Sequence, residues 1–144
     1  MPRIAILMGS SSDMDIMKKG EAFLTEMEVP CDIFVASAHR NPEKVHEIVS
    51  NPHYDIFIAG AGMAAHLPGV VASMTTKPVI GVPINASMDG LDALLSIAQM
   101  PPGIPVATVA VNGARNAAIL AVQMLALCNN DLKEKMIQFR NSMK

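Results

Sequence analysis

Residues 4–13 read Ile4-Ala5-Ile6-Leu7-Met8 and then, without a break, Gly9-Ser10-Ser11-Ser12-Asp13. Five successive apolar residues make a strand with no polar face, as expected where a parallel sheet is covered on both sides. The glycine, three serines and aspartate open directly into a longer amphipathic segment, Asp13 to Glu28. There Ile16, Met17, Phe23, Leu24 and Met27 form a rough helical stripe. A buried strand feeding a helix through a short turn of small residues is the start of a β–α unit.

The same alternation continues outward. Cys31 to Ala36 reads as a second strand, and Asn41-Pro42-Glu43 as a helix start: an Asn cap, Pro where no N–H is needed, and an acid at the positive end. Tyr54 to Ala59 is a third strand, followed by a glycine-rich turn and an apolar helix near Ala64 to Met74. Val79 to Ile84 is a fourth strand with a helix from about Gly90 to Gln99. Pro105 to Val111 is a fifth strand, Asn116 to Leu127 another helix, and Leu132 to Asn141 a closing polar amphipathic helix. Met100-Pro101-Pro102-Gly103-Ile104-Pro105 is a stiff connection. Repeated β–α units predict an α/β fold, a three-layer α/β/α sandwich around a five-stranded parallel sheet of flavodoxin-like order, with a C-terminal helix. No linker or repeat divides residues 1–144, so one domain is expected.

The chain has 144 residues, 51% hydrophobic and 17% charged, with 12 Met, no Trp, one Tyr and four Phe. Its mean hydropathy is +0.33. Disorder is excluded by this apolar content, and a net charge of −2 disfavours binding nucleic acid through a basic patch. Ala117 to Cys128, the most apolar stretch, is interrupted by Gln123 and falls short of the ~20 residues of a membrane span. The N-terminal apolar run is too short for a signal peptide. Cys31 and Cys128 stand alone, which predicts two buried thiols in a reducing cytoplasm. So apolar a chain predicts association. Ala117 to Val122 and Met124 to Leu127 are apolar around too much of a helix for one core stripe, and a second face is expected between subunits.

Ligands in such sheets bind beyond the carboxyl ends of the strands. After the first strand, Gly9 to Asp13 forms an anion cradle at a helix N-terminus, with Asp13 able to accept ribose hydroxyls; Ser and Asp also simply cap helices. It lacks the Gly-Lys-Ser/Thr of a nucleoside-triphosphate loop. After the second strand, Ser37-Ala38-His39-Arg40-Asn41-Pro42 supplies an arginine for phosphate and a histidine for proton transfer, beside the first loop if strands one and two are neighbours. After the third, Gly60-Ala61-Gly62-Met63-Ala64-Ala65-His66-Leu67-Pro68-Gly69 matches GxGxxG/A formally. It follows the third strand, however, and no acid ends the fourth, so its glycines are read as allowing close ligand approach. His66 is either a structural residue or part of the site. His46 and His53 are expected in solvent. Pro83 to Gly90, into which the fourth strand leads, is either a mobile or ligand-contacting loop or plain turn chemistry.

These three motifs, in this order, closely resemble the family of the phosphoribosylaminoimidazole carboxylase catalytic subunit, in most bacteria the N5-carboxyaminoimidazole ribonucleotide mutase of purine biosynthesis. Gly81-Val82-Pro83, Gln99 to Pro105 and Asn116-Ala117-Ala118 extend the resemblance over nearly the whole chain. It implies a flavodoxin-like cytoplasmic homo-octamer with sites at subunit contacts. Its substrate is a small aminoimidazole ribonucleotide, whose carboxylate moves from N5 to C4 without ATP, metal or organic cofactor. The resemblance further implies that His39 is the acid/base and that Ser10, Ser12, Ser37 and Arg40 hold phosphate. Asp13 would hold ribose hydroxyls, Gly60, Ala61 and Gly62 would face the heterocycle, and His66, Leu67 and Pro68 would line the CO2 side. Ala65-His66-Leu67-Pro68-Gly69 is similar to the mutase class. Direct carboxylation by CO2 is the alternative, and a non-catalytic flavodoxin-like phosphate- or flavin-binding module a second; the scarcity of aromatics counts against flavin. Met63 stands where many relatives have Gly, and the chain stops at Lys144 where many continue.

Overall fold

In the computed structural model, which describes Met1–Lys144 throughout, the chain forms five strands and six α-helices. The strands are β1 (Ile4–Met8), β2 (Cys31–Val35), β3 (Ile56–Gly62), β4 (Val79–Ile84) and β5 (Ala107–Thr108). The helices are α1 (Met14–Glu26), α2 (Pro42–Val49), α3 (Leu67–Ser73), α4 (Leu91–Ala98), α5 (Ala114–Ala126) and α6 (Asn130–Ser142). All pairings are parallel, in the order β2-β1-β3-β4-β5. The chain reverses its direction of travel across the sheet between β1 and β3, so a crevice opens at their carboxyl ends.

Period-two alternation sorts the strand side chains into two cores. Ile4, Ile6, Met8, Ile58, Ile80 and Val82 pack under α1, α5 and α6, while Ala5, Leu7, Phe57, Ala59 and Val79 pack under α2, α3 and α4. The expected three-layer sandwich, with its closing helix, is the observed one. Asn41 caps α2 as its sequence predicts, its Oδ1 accepting from the Lys44 amide at 3.2 Å. Below the sheet's amino ends Asp32 accepts from Arg3 Nε at 2.9 Å and from the Tyr54 hydroxyl at 2.7 Å, tying β1, β2 and the approach to β3 together.

Several expectations are corrected. Gly60 to Gly62 do not form a turn. They prolong β3 in register with Met8, Pro83 and Ile84, and α3 consequently starts only at Leu67. β5 shrinks to two residues at the sheet edge, where it has β4 alone as a ladder partner and Pro105, just before it, has no N–H to offer. Cys31 is half-buried and Cys128 is exposed, since α5 ends at Ala126 and the chain beyond it, from Leu127, leaves the core. α5 also uses much of its apolar girth inside the chain: Ala114, Ala117, Ala118, Ala121 and Val122 are buried, and Ile119, Leu120, Met124 and Leu125 pack against the same core. Leu127 is left 85% exposed, and a second apolar row appears on α4, where Leu91 and Leu95 are exposed one turn apart beyond exposed Met88. No helix is long and apolar enough to cross a membrane.

Candidate active site

The crevice beyond β1 and β3 is a cleft of about 440 Å³, and the loops after β1, β2 and β3 supply nearly all its walls. Ser10 begins the first wall with an extended backbone, its Oγ accepting from the Ser12 amide at 3.3 Å and lying 2.9 Å from Ser12 Oγ. This local bonding winds Ser11–Asp13 into a short 3-10 turn that runs into α1. The serine hydroxyls and the positive end of α1 therefore line one wall.

Asp13 follows at the base of that turn. It is the one buried charged residue, 9% exposed, and its carboxylate makes no hydrogen bond within the chain. Burial pushes its carboxyl above the usual carboxylate range, with no cation to pull it back. An acceptor left unpaired at a cleft wall, on a largely buried side chain, suits a ligand that brings its own donors, as a ribose diol does.

The second wall is a turn in which Ser37 Oγ accepts from the Arg40 amide at 3.2 Å and Ser37 O from the Asn41 amide at 2.9 Å. That turn presents Arg40 and His39 to the cleft. Arg40 pairs with no carboxylate, so its fork is free for an anion. Lys44, one turn later, is committed to the Val35 carbonyl at 2.7 Å. β1 and β2 are neighbours, which brings this loop alongside the serine loop as the sequence anticipates.

The third wall carries Ala61, Gly62 and the segment Met63 to Leu67. A Cβ on Gly62 would come within 2.9 Å of Ala86 Cβ, so the end of β3 packs directly on the β4 loop and leaves no room for a side chain. His66 stands just before α3, and its Nδ1 lies 2.5 Å from His39 Nε2, the rings meeting edge to face at 84°. In such a contact one ring donates and the other accepts, so the pair holds a proton between two imidazoles at the cleft wall.

Of the predicted residues, Ser10, Ser12, Asp13, Ser37, His39, Arg40, Ala61, Gly62, His66 and Leu67 all converge on this cleft. Gly60 does not. It points to the opposite face of the sheet, where a Cβ would strike Met17 Sδ at 2.5 Å, and its carbonyl accepts from the Gly9 amide at 3.3 Å. It thus supports the serine loop from behind through its backbone, one step back from the strand end that lines the cleft. His46 and His53 are exposed and away from the cleft, as expected. Ala86 lines it; the sequence marks its loop only as a possible contact, because alanine carries no chemical signal. No group of three or more His, Cys, Asp or Glu side chains converges anywhere as a metal-ligand set.

Comparison with known proteins agrees with this geometry. The family model described as AIR carboxylase matches residues 3–144. The chain is 59% identical to the N5-carboxyaminoimidazole ribonucleotide mutase of Methanocaldococcus jannaschii, over 98% of this chain and 90% of that protein. It is 50% identical to the chloroplastic phosphoribosylaminoimidazole carboxylase of Vigna aconitifolia, over 98% of this chain but 26% of that longer protein. The crystal structure of Treponema denticola PurE superposes with a TM-score of 0.90 at 29% identity, covering 99% of this chain and 91% of that one.

Proposed function

The chain belongs to the AIR carboxylase family, and we propose that it acts in purine biosynthesis as a mutase, moving the carboxylate of N5-carboxyaminoimidazole ribonucleotide from N5 to C4. The product is 4-carboxy-5-aminoimidazole ribonucleotide. The observation that carries the reading is the His39–His66 contact in a cleft whose other walls offer a free arginine, serine hydroxyls and an unpaired buried carboxylate.

The phosphate meets Arg40, Ser10, Ser12 and Ser37 at the positive end of α1, and the ribose hydroxyls donate to Asp13. The ring then lies along Ala61 and Gly62, with N5 and C4 toward His39. His39 as imidazolium donates its proton to N5. The N5–carboxyl bond breaks with its electron pair left on nitrogen, and CO2 is released into the cleft beside His66 and Leu67. The enamine carbon C4 attacks CO2, and neutral His39 removes the C4 proton, restoring both the aromatic ring and the imidazolium. Atoms and charge balance with one histidine as acid and then base, a role that brings roughly 10²–10⁴-fold in rate. Holding CO2 next to C4 makes its recapture effectively unimolecular.

The whole chain serves as one catalytic domain, in the cytoplasm, and assembles as a homo-octamer with its clefts at subunit contacts. Support comes from the family resemblance and from the exposed apolar residues Met88, Leu91, Leu95 and Leu127. Rates on the N5-carboxylated nucleotide and on aminoimidazole ribonucleotide with bicarbonate, both without ATP, test the reading. The first substrate is expected to turn over efficiently and the second poorly in the carboxylation direction. The reverse ranking assigns the chain to direct carboxylation.

A further inference from the structure

Met63 is unlike the rest of the cleft. Its backbone lies in the left-handed region at φ 53°, where a non-glycine side chain is strained. The conformation is imposed by its surroundings. The Ala65 amide donates to Gly62 O at 3.0 Å, closing a tight turn over Met63 and Ala64, and Gly62 is locked against Ala86. Glycine would relax this position. Methionine stands there instead, with its side chain 60% exposed at the cleft. No Phe or Tyr lines the cleft, and its other large aliphatic side chain, Leu67, is only 2% exposed. Apart from the two imidazoles, the thioether is the only sizeable soft surface that a planar ring could rest against.

We propose that Met63 is a binding and specificity residue that covers the heterocycle of the bound nucleotide, the strained backbone being retained because it aims the thioether over the ring. The inference rests on the functional reading above, and it deepens that reading by assigning the cleft's preference for a nucleotide with a flat ring over a bare sugar phosphate. A sulfur–ring contact is soft and orientation-tolerant, and its usual strength corresponds to roughly threefold to tenfold in affinity. It also covers the ring on a side where the cleft otherwise offers only alanine and glycine.

The test is calorimetric binding of 5-aminoimidazole ribonucleotide and of ribose 5-phosphate to the native protein, Met63→Gly and Met63→Leu. Met63→Gly is expected to melt at or above the native temperature, since it relieves the backbone. It should bind the nucleotide about threefold to tenfold more weakly and ribose 5-phosphate unchanged. Met63→Leu, which restores apolar cover, should recover most of the loss. Equal weakening of both ligands, or of neither, overturns the inference while leaving the functional reading intact. A native protein that binds neither ligand overturns the functional reading and this inference with it.

Discussion

His39 shares its Nε2 contact with the neighbouring His66 ring, so a proton at the cleft wall has two imidazoles to occupy. Replacing His39 by Asn removes the titrating group but leaves Arg40, Asp13 and the serine loop in place. Turnover is expected to fall by at least about 10²–10⁴-fold, with nucleotide affinity measured by calorimetry changed only severalfold; full activity in that variant would remove His39 from the chemistry. Asp13 gives a pH signature. Because burial raises its carboxyl, the folded protein binds that proton more tightly than the unfolded chain does. Its stabilising contribution is therefore present at low pH and lost as pH rises through the raised folded value. Asp13→Asn is accordingly expected to raise the melting temperature at pH 7 relative to native, with the difference shrinking below the ordinary aspartate range, while it weakens ribose binding. An Asp13→Asn protein that is less stable at pH 7 and relatively better at low pH would reverse the sign. Polar chemistry of this kind is legible in sequence, since Ser, His, Arg and Asp at strand ends announce themselves. The burial that retunes Asp13 is not, because it depends on what packs around the turn.

At the scale of elements, α1 and α5 approach closely at Gly20, where an added Cβ would lie 2.9 Å from the Ala114 carbonyl oxygen. Helix propensity alone favours Gly20→Ala by about 1 kcal/mol, but here the contact is with backbone and cannot be relieved by a rotamer change. The variant is expected to be destabilised by roughly 1–3 kcal/mol in urea unfolding, and a stabilised variant would show that the two helices part easily. The strands of continuous apolar sequence, β1 and β4, are legible to the residue, because burial on both faces leaves no ambiguity. β3 and β5 are not. Gly60 to Gly62 look like turn chemistry, yet stay extended because Met8, Pro83 and Ile84 supply ladder partners. β5 has an apolar sequence but only one neighbouring strand and a proline before it. Both differences come from pairing across the sheet, which local pattern does not contain. Gly60 is the same lesson at the cleft: Ala61 and Gly62 line the wall at the very end of β3, whereas Gly60, one step further back, is covered by Met17.

For the whole molecule, 51% hydrophobic sequence in 144 residues leaves an apolar surplus after two cores are filled. Part of the surplus expected on α5 is absorbed by α1 and α6, and what stays outside is the row from Met88 through Leu95 and the end of α5 at Leu127. Light scattering is expected to give a mass near eight times the 15.3 kDa chain, and a stable, active monomer would refute the assembly. In the proposed reaction one cleft carries CO2 from N5 to C4 of the same nucleotide without releasing it. Turning over N5-carboxylated substrate, labelled with carbon-13 in the carboxylate, in unlabelled bicarbonate buffer containing carbonic anhydrase distinguishes this internal transfer from exchange with dissolved CO2. Retention of the label at C4 of the product is the expected result, and loss of the label to the buffer pool would contradict it.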